Sequence, residues 1–153
     1  MGSLLDTSRE ISPPRRRPVQ EAVRVLLVDD NQEVCDVLRE MLEANGFAVL
    51  VSKDGLSALN VIETYCSYID ILLTDIRMPQ MGGPELAKRA KLLRPEMKVL
   101  FMSGDASEAL ASGELDSAAM ILAKPFGWSI LAGKVRDALG QENTRRRVFT
   151  AVE

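Results

Sequence analysis

The sequence predicts an α/β fold, a single (βα)5 domain built on a doubly wound, parallel five-stranded sheet. Two observations lead to this prediction. Five short apolar runs typical of buried strands alternate along the chain with five helical segments. The connections between them are short, which favours right-handed crossovers and helices on both faces of the sheet. The length of 153 residues and the apolar fraction of 46% suffice for one core of this kind.

The first strand is predicted at 23–28. Asn31 follows as a good helix N-cap, and apolar residues then recur at the spacing of one helical face. Asn45 and Gly46 end this first helix because both residues tolerate positive φ. The run FAVLV at 47–51 predicts the second strand.

The middle of the domain repeats this alternation. The pair Asp54-Gly55 opens the second helix, and the apolar run ILLT at 71–74 predicts a third strand that is buried on both faces. Pro84 suits the first turn of a third helix, and Pro95 ends that helix.

The last part of the domain contains two more strand–helix pairs. KVLFM at 98–102 predicts the fourth strand, and a weaker helix follows near 106–112. MILA at 120–123 predicts the fifth strand, and the last helix is expected at about 128–139.

The two ends differ in composition from the domain at 23–139. Residues 1–22 are polar and include the proline- and arginine-rich stretch PPRRRP, which predicts a disordered or linker arm. Residues 140–153 contain three consecutive arginines and are expected to form a flexible tail.

Composition excludes several classes of function. The chain has no histidine, so Ser-His-Asp and Cys-His catalysis, histidine-ligated zinc and a phosphohistidine of its own are all excluded. The net charge of −3 predicts no direct nucleic-acid partner, and no apolar run is long enough to predict a membrane span. Cys35 and Cys66 are too few for a disulfide framework and predict free thiols in a reducing cytoplasm.

Residues that can contact a phosphate or a metal follow four of the five predicted strands. Asp29-Asp30, Asp75, Ser103 and Lys124 stand at the ends of these strands. In an open parallel sheet, the ligand site lies outside the carboxyl ends of the strands. The sequence therefore predicts one sheet edge that gathers three carboxylates, a hydroxyl and an ammonium.

These groups suit a cation and a phosphoryl group. Two carboxylates in close contact repel each other by roughly 4 kcal/mol at an effective dielectric near 20, so the cluster needs a cation or raised pKa values. A set of oxygen ligands with open positions suits Mg²⁺ better than zinc. The Ser103 hydroxyl and the Lys124 ammonium are suited to the oxygens of a phosphoryl group.

The segments VRVLLVDDNQEV, DILLTDIRMPQMGGPELAKRAKLL, VLFMSG and AKPF resemble the receiver domain of two-component response regulators. The resemblance covers about residues 23–139, and around LLTDIRMPQM and KVLFMSG it is strongest to receivers of hybrid sensor histidine kinases. It implies a flavodoxin-like fold with strand order 2-1-3-4-5. It also implies a phosphorelay domain that accepts a phosphoryl group from a sensor histidine kinase or phosphotransfer protein and then switches a partner-binding face. Such a domain catalyses only its own phosphorylation and dephosphorylation, and it can form a receiver homodimer.

The resemblance implies a role for each strand-end residue. Asp75 is the phosphoacceptor and a ligand of the Mg²⁺ cofactor. Asp30 binds the metal directly, Asp29 binds it through water, and the backbone carbonyl of Arg77 is a further ligand. Ser103 is the switch hydroxyl, and Lys124 is the ammonium that holds the phosphate.

The sequence departs from the family pattern at the switch position and at the rim of the site. Ile121 stands where the family usually has Tyr or Phe, so no aromatic ring can rotate there. Arg77 and Asp105 occupy variable positions, and we expect them to pair across the mouth of the site and to alter hydrolysis of the acyl phosphate.

Two other functions are consistent with the same residues. The first is a Mg²⁺-dependent phosphatase with Asp75 as its nucleophile, although phosphatases of the haloacid dehalogenase type carry DxD and Asp29-Asp30 are adjacent. The second is a receiver-like docking module that is never phosphorylated, which the isoleucine at position 121 favours.

Overall fold

A computed structural model describes residues 22–65, 67–113, 115 and 118–152; for Ala106 and residues 141–152 it describes the backbone alone. Strands and helices alternate through this part of the chain, as the (βα)5 prediction requires. In chain order the elements are β1 (Arg24–Val28), α1 (Gln32–Ala44), β2 (Ala48–Ser52), α2 (Gly55–Tyr65), β3 (Ile71–Asp75), α3 (Gly83–Leu93), β4 (Lys98–Ser103), α4 (Ala106–Ala111), β5 (Ile121–Ala123) and α5 (Trp128–Val152).

The five strands form one parallel sheet in the order β2-β1-β3-β4-β5. The predicted doubly wound architecture and the predicted strand order are therefore confirmed. β1 and β3 lie inside the sheet, where Leu26 pairs with Leu72 and both side chains are fully buried. The order reverses between β1 and β3, so the loops after these two strands diverge and leave a crevice at the carboxyl edge.

The ends of α1 are formed by the residues that the sequence indicates. The Asn31 side chain accepts a hydrogen bond from the Val34 N–H at 3.1 Å, and Gly46 has a φ of 91° just beyond the helix. β2 begins one residue later than predicted. The reason is that the Phe47 N–H donates to the Leu42 carbonyl at 3.1 Å, so Phe47 still belongs to the turn that closes α1.

The core lies on both faces of the sheet, as expected for a parallel sheet whose strands are continuous apolar runs. On one face α1 and α5 cover residues such as Leu27, Leu73 and Leu100. On the other face α2 and α3 cover Leu26 and Leu72. A smaller cluster lies beneath α4, and it consists of Ile76, Ala87, Phe101, Ala109 and Leu115.

The two predicted end segments are only partly described. The helical backbone of α5 breaks at Gly140, where φ is 82°, so the helix that packs on the sheet ends where the sequence predicts. Most of the predicted arm at 1–22 and the thiol of Cys66 lie outside the described residues, and the flexibility of 140–153 stays a prediction. Among the helices of the described part, none is long and apolar enough to cross a membrane.

Glycine at the start of α3 allows the helix to lie directly against the end of β3. The Gly83 N–H donates to the Ile76 carbonyl at 2.9 Å, and a Cβ at Gly83 would overlap the carbonyl oxygen of Asp75. Gly83 is not needed for an unusual φ. It is needed because α3 contacts the backbone of the residue that the sequence singles out as the phosphoacceptor.

We expect Gly83→Ala to lower the free energy of unfolding by about 2 kcal/mol, because the added methyl must displace either α3 or the end of β3. The matched control is Gly133→Ala in α5, where nothing lies within 4 Å of the added Cβ. This control should raise the stability by about 0.5–1 kcal/mol through helix propensity. Urea unfolding of the two variants measures both effects, and equal effects in the two would show that the contact with Asp75 is unimportant.

Candidate functional site

Three carboxylates meet at the carboxyl edge of the sheet. Asp29 and Asp30 follow the last residue of β1, and Asp75 is the last residue of β3, the neighbouring strand. One oxygen of each carboxylate lies within 4.8 Å of the others. Asp29 is buried, Asp75 is partly buried and Asp30 is exposed, so one side of the cluster opens to solvent. The predicted gathering of the three side chains is therefore present.

The Lys124 ammonium lies between two of these carboxylates. Its Nζ is 3.3 Å from Asp29 Oδ2 and 3.5 Å from Asp75 Oδ2. The backbone fixes this position, because the Lys124 N–H donates to the Ser103 carbonyl at 2.8 Å and so ties the end of β5 to the end of β4. The Lys124–Pro125 peptide is cis. The ammonium thus offsets part of the repulsion within the acidic cluster.

Asp29 accepts hydrogen bonds with both its side chain and its backbone carbonyl. Its Oδ1 accepts a hydrogen bond from the Asn31 N–H at 2.9 Å, and its backbone carbonyl accepts one from the Cys35 thiol at 3.3 Å. Burial, with the nearby negative charges of Asp29 and Asp36, raises the pKa of Cys35 to about 11. The thiol therefore stays protonated at neutral pH, and it links α1 to the backbone of the acidic cluster.

The two oxygens of Asp75 have different surroundings. Oδ1 accepts a hydrogen bond from the Ile76 N–H at 3.0 Å, whereas Oδ2 faces Lys124. The Thr74 hydroxyl donates to the Asp75 carbonyl at 3.0 Å, which fixes the backbone at the end of β3. Burial raises the pKa of Asp75, and the charge of Asp29 raises it further, while Lys124 opposes both.

Ser103 connects the site to α4. The Asp105 N–H donates to Ser103 Oγ at 2.9 Å, and the Asp105 carboxylate accepts from the Glu108 N–H at 3.0 Å as the N-cap of the helix. The side chain predicted to be the switch hydroxyl therefore accepts a hydrogen bond from the N-cap residue of α4. Ile121, at the predicted switch position, is partly buried and packs on the apolar cluster beneath the same helix.

The rim of the site differs from the expected pairing of Arg77 with Asp105. Arg77 Nη2 lies 3.6 Å from Glu108 Oε1, one helical turn into α4, while the Asp105 carboxylate caps the helix. The expected pair is therefore wrong, because the N-cap geometry turns the Asp105 carboxylate toward the helix backbone. Sequence reasoning missed Glu108, whose position over the site depends on how α4 packs on the sheet. Both side chains of the pair are more than half exposed, so the pair contributes little to stability.

A doubly wound sheet with carboxylates, a hydroxyl and an ammonium at its carboxyl edge defines a flavodoxin-like α/β domain with a site that can hold a metal ion. A model of the response regulator receiver domain matches residues 25–136. This chain belongs to the response regulator receiver domain family. Receiver domains are phosphoacceptors of two-component signal transduction rather than conventional enzymes, and they interact with histidine kinases or phosphotransfer proteins.

Individual relatives agree with this assignment. The response regulator receiver protein CpdR of Brucella abortus is 34% identical over 117 residues, which are 76% of this chain and 96% of CpdR. The sensor kinase CckA of the same organism is 32% identical over 120 residues, which are 78% of this chain. A crystal structure of a response regulator receiver protein from Sinorhizobium medicae has a TM-score of 0.69 at 32% identity, and the match covers 78% of this chain and 95% of that protein.

Some relatives are much longer than this chain. The chain spans 13% of the length of CckA and 27% of the length of the transcriptional regulatory protein ZraR of Klebsiella oxytoca. In such relatives the matching part is one segment of a larger protein, so the family assignment concerns the receiver domain alone.

We expect Asp75→Asn to stabilise the protein by about 1 kcal/mol at pH 7 in EDTA, because the change removes one of three mutually repelling carboxylates. The pKa of Asp75 is higher in the folded protein than in the unfolded chain. At pH values between these two pKa values, the folded protein therefore binds more protons than the unfolded chain. Wild-type stability therefore falls as pH rises through that window. The gain in Asp75→Asn should be complete above the window and should fade as pH falls toward the ordinary carboxyl pKa.

Urea unfolding between pH 4 and pH 8 measures this difference. The matched control is Asp36→Asn, which neutralises an exposed carboxylate on α1. A stabilisation of equal size in the control, or one that grows as pH falls, would contradict the expected repulsion at Asp75.

Proposed function

We propose that this chain is the phosphoacceptor domain of a two-component phosphorelay and takes a phosphoryl group from a phosphohistidine onto Asp75. The observation that carries the proposal is the position of Asp75 Oδ2, 3.5 Å from the Lys124 ammonium and beside two further carboxylates. Catalysis of phosphoryl transfer is mostly positioning and charge neutralisation. A carboxylate nucleophile beside a fixed cation provides both.

The residues present fit a Mg²⁺ cofactor. The carboxylate oxygens of Asp29, Asp30 and Asp75 are hard ligands close enough together to share one ion, and the exposed side of the cluster leaves room for water. We propose that these three side chains and the backbone carbonyl of Arg77 hold the ion. Bound there, Mg²⁺ would neutralise the negative charge of the carboxylates and of an incoming phosphoryl group.

The chain's own residues determine how the transfer proceeds. The Ile76 N–H bonds Asp75 Oδ1, and Oδ2, which faces the Lys124 ammonium, is the oxygen that we propose attacks phosphorus. A bond forms between Oδ2 and phosphorus while the phosphorus–nitrogen bond of the phosphohistidine breaks. The electron pair of that bond returns to the ring nitrogen. The imidazole leaves as a neutral ring when its other nitrogen already carries a proton, and otherwise it takes a proton from solvent as it leaves. The Lys124 ammonium and the Ser103 hydroxyl then hold the phosphoryl oxygens.

The same transfer gives a route for the signal in a chain without a switch aromatic. We propose that the Ser103 side chain rotates when its hydroxyl donates to a phosphoryl oxygen, and that this rotation breaks the hydrogen bond that Oγ accepts from the Asp105 N–H. Asp105 is the N-cap of α4, so the start of this six-residue helix loses one of its fixed contacts. Because Ile121 packs beneath α4, a shift of the helix changes the packing of Ile121 as well. We propose that α4, rather than a rotating ring, reports the phosphorylation.

We further propose a cytoplasmic domain whose phosphodonor is a sensor histidine kinase or a phosphotransfer protein. The likeness to a receiver protein and to a sensor kinase supports this class of donor. A second candidate function is a docking module that is not phosphorylated. The replacement of the usual switch aromatic by Ile121 is the observation that favours it.

Intact-mass measurement after incubation with phosphoramidate and Mg²⁺ distinguishes these functions. We expect a single phosphoryl adduct in the wild type and in Asp36→Asn, and none in Asp75→Asn or in EDTA. Continued release of phosphate over many turnovers would instead indicate a phosphatase. Failure to form any adduct, in protein shown by unfolding to be native, would favour the docking module.

We expect Ser103→Ala to separate phosphorylation from its effect on α4. In ¹⁵N–¹H spectra of the wild type, phosphorylation should shift the amides of Asp105, Ser107 and Glu108. In Ser103→Ala the adduct should still form, but these shifts should fall to less than half, because the hydroxyl that changes partner is absent. Ser103→Thr should restore them. Shifts of wild-type size in the alanine variant would show that the signal reaches α4 by another route.

A further inference from the structure

A groove outside the acidic site runs between α3 and the segment that precedes β5. Its volume is about 390 Å³. One wall is the face of α3 on which Pro84, Lys88 and Lys91 lie at helical spacing. The floor and the opposite wall are apolar and consist of Met97, Val99, Phe101, Leu115, Ala119 and Met120.

The groove lies beside the first residues of β4, which β5 does not pair. Pairing between β4 and β5 begins at Phe101, which is opposite Ile121, and continues to the end of β4. Within the described part of the chain, residues 98–100 therefore have no pairing partner on β5. Backbone groups alternate in direction along β4, so in this stretch the N–H and C=O of Val99 face the groove side. An extended partner segment can bond them while its side chains enter the apolar floor.

Three lysines line this groove. Among the described residues, the ammonium groups of Lys88, Lys91 and Lys98 take part in no ion pair. Glu96 also lines the groove, but it pairs with Arg94 at 3.2 Å, so its charge is already offset. The described lining residues thus present three positive charges with no ion-pair partner among them, on a chain whose net charge is −3.

We propose that this groove binds an acidic, extended segment of a partner protein, with Asp or Glu side chains facing the lysines and apolar side chains in the floor. The positive lysines favour a negatively charged partner. The apolar floor in addition requires an apolar side chain, which a simple anion lacks. A nucleic acid fits less well, because base stacking needs an exposed ring and the aromatic residue of the lining, Phe101, is only 5% exposed. The proposal does not depend on phosphorylation of Asp75.

Selection from a phage-displayed library of random twelve-residue peptides tests this proposal on the full chain. We expect the selected peptides to be enriched in Asp and Glu interleaved with Leu, Val or Phe. A synthetic copy of the strongest binder should shift the amides of Lys88, Val99 and Ala119 in ¹⁵N–¹H spectra. Its affinity, measured by fluorescence anisotropy, should fall at least tenfold in Lys88→Glu/Lys91→Glu and should weaken as salt is added.

The matched control is Arg39→Glu/Arg136→Glu, which makes the same change in net charge on α1 and α5. The Arg136 guanidinium lies over the ring of Phe47, which belongs to the core on the α1 face of the sheet, away from the groove. We expect less than a twofold change in this variant. Equal losses in the two double variants, selection of peptides without acidic enrichment, or amide shifts confined to other surfaces would each overturn the proposal. Displacement of the peptide by single-stranded RNA at comparable affinity would assign the groove to nucleic acid and would overturn it too.

Discussion

The parallel order of the strands forces three carboxylates to share one edge of the sheet, and the function of this domain depends on how their repulsion is balanced. β1 and β3 are neighbours, so the residues that follow them, Asp29, Asp30 and Asp75, cannot separate without breaking the sheet. Lys124 offsets part of the charge from the end of β5. Part of it remains, which leaves the site ready for a divalent cation and a phosphoryl group.

The surrounding structure holds these charges in place against their repulsion. The Cys35 thiol bonds the backbone carbonyl of Asp29, and the backbone N–H of Asn31 bonds one of its carboxylate oxygens. Gly83 allows α3 to pack against the backbone carbonyl of Asp75. These contacts come from helices on both faces of the sheet. The doubly wound architecture therefore positions the site, and it also explains why a destabilising charge cluster can persist in a stable fold.

The sequence predicted the fold and the members of the site because both depend on local patterns. Strand ends are marked by apolar runs, and the polar residue after each run must lie at the carboxyl edge. The pairing of Arg77 with Glu108 could not be predicted, since it depends on how a six-residue helix packs over the sheet. The bond between Ser103 and the Asp105 N–H could not be predicted either, and neither could the grouping of lysines from α3 and β4 around one groove. Each involves elements whose relative position is set by tertiary packing.

A double-mutant cycle between Asp75 and Lys124 tests most directly whether balanced charge controls this site. The free energies of unfolding of the wild type, Asp75→Asn, Lys124→Met and the double variant would be measured in EDTA at pH 7. We predict that Lys124→Met is clearly destabilising alone and costs at least about 1 kcal/mol less in the Asp75→Asn background, because a carboxylate that needs the ammonium is gone. Additive effects within about 0.3 kcal/mol would show that Lys124 does not balance the charge of Asp75, which would contradict this view of the site.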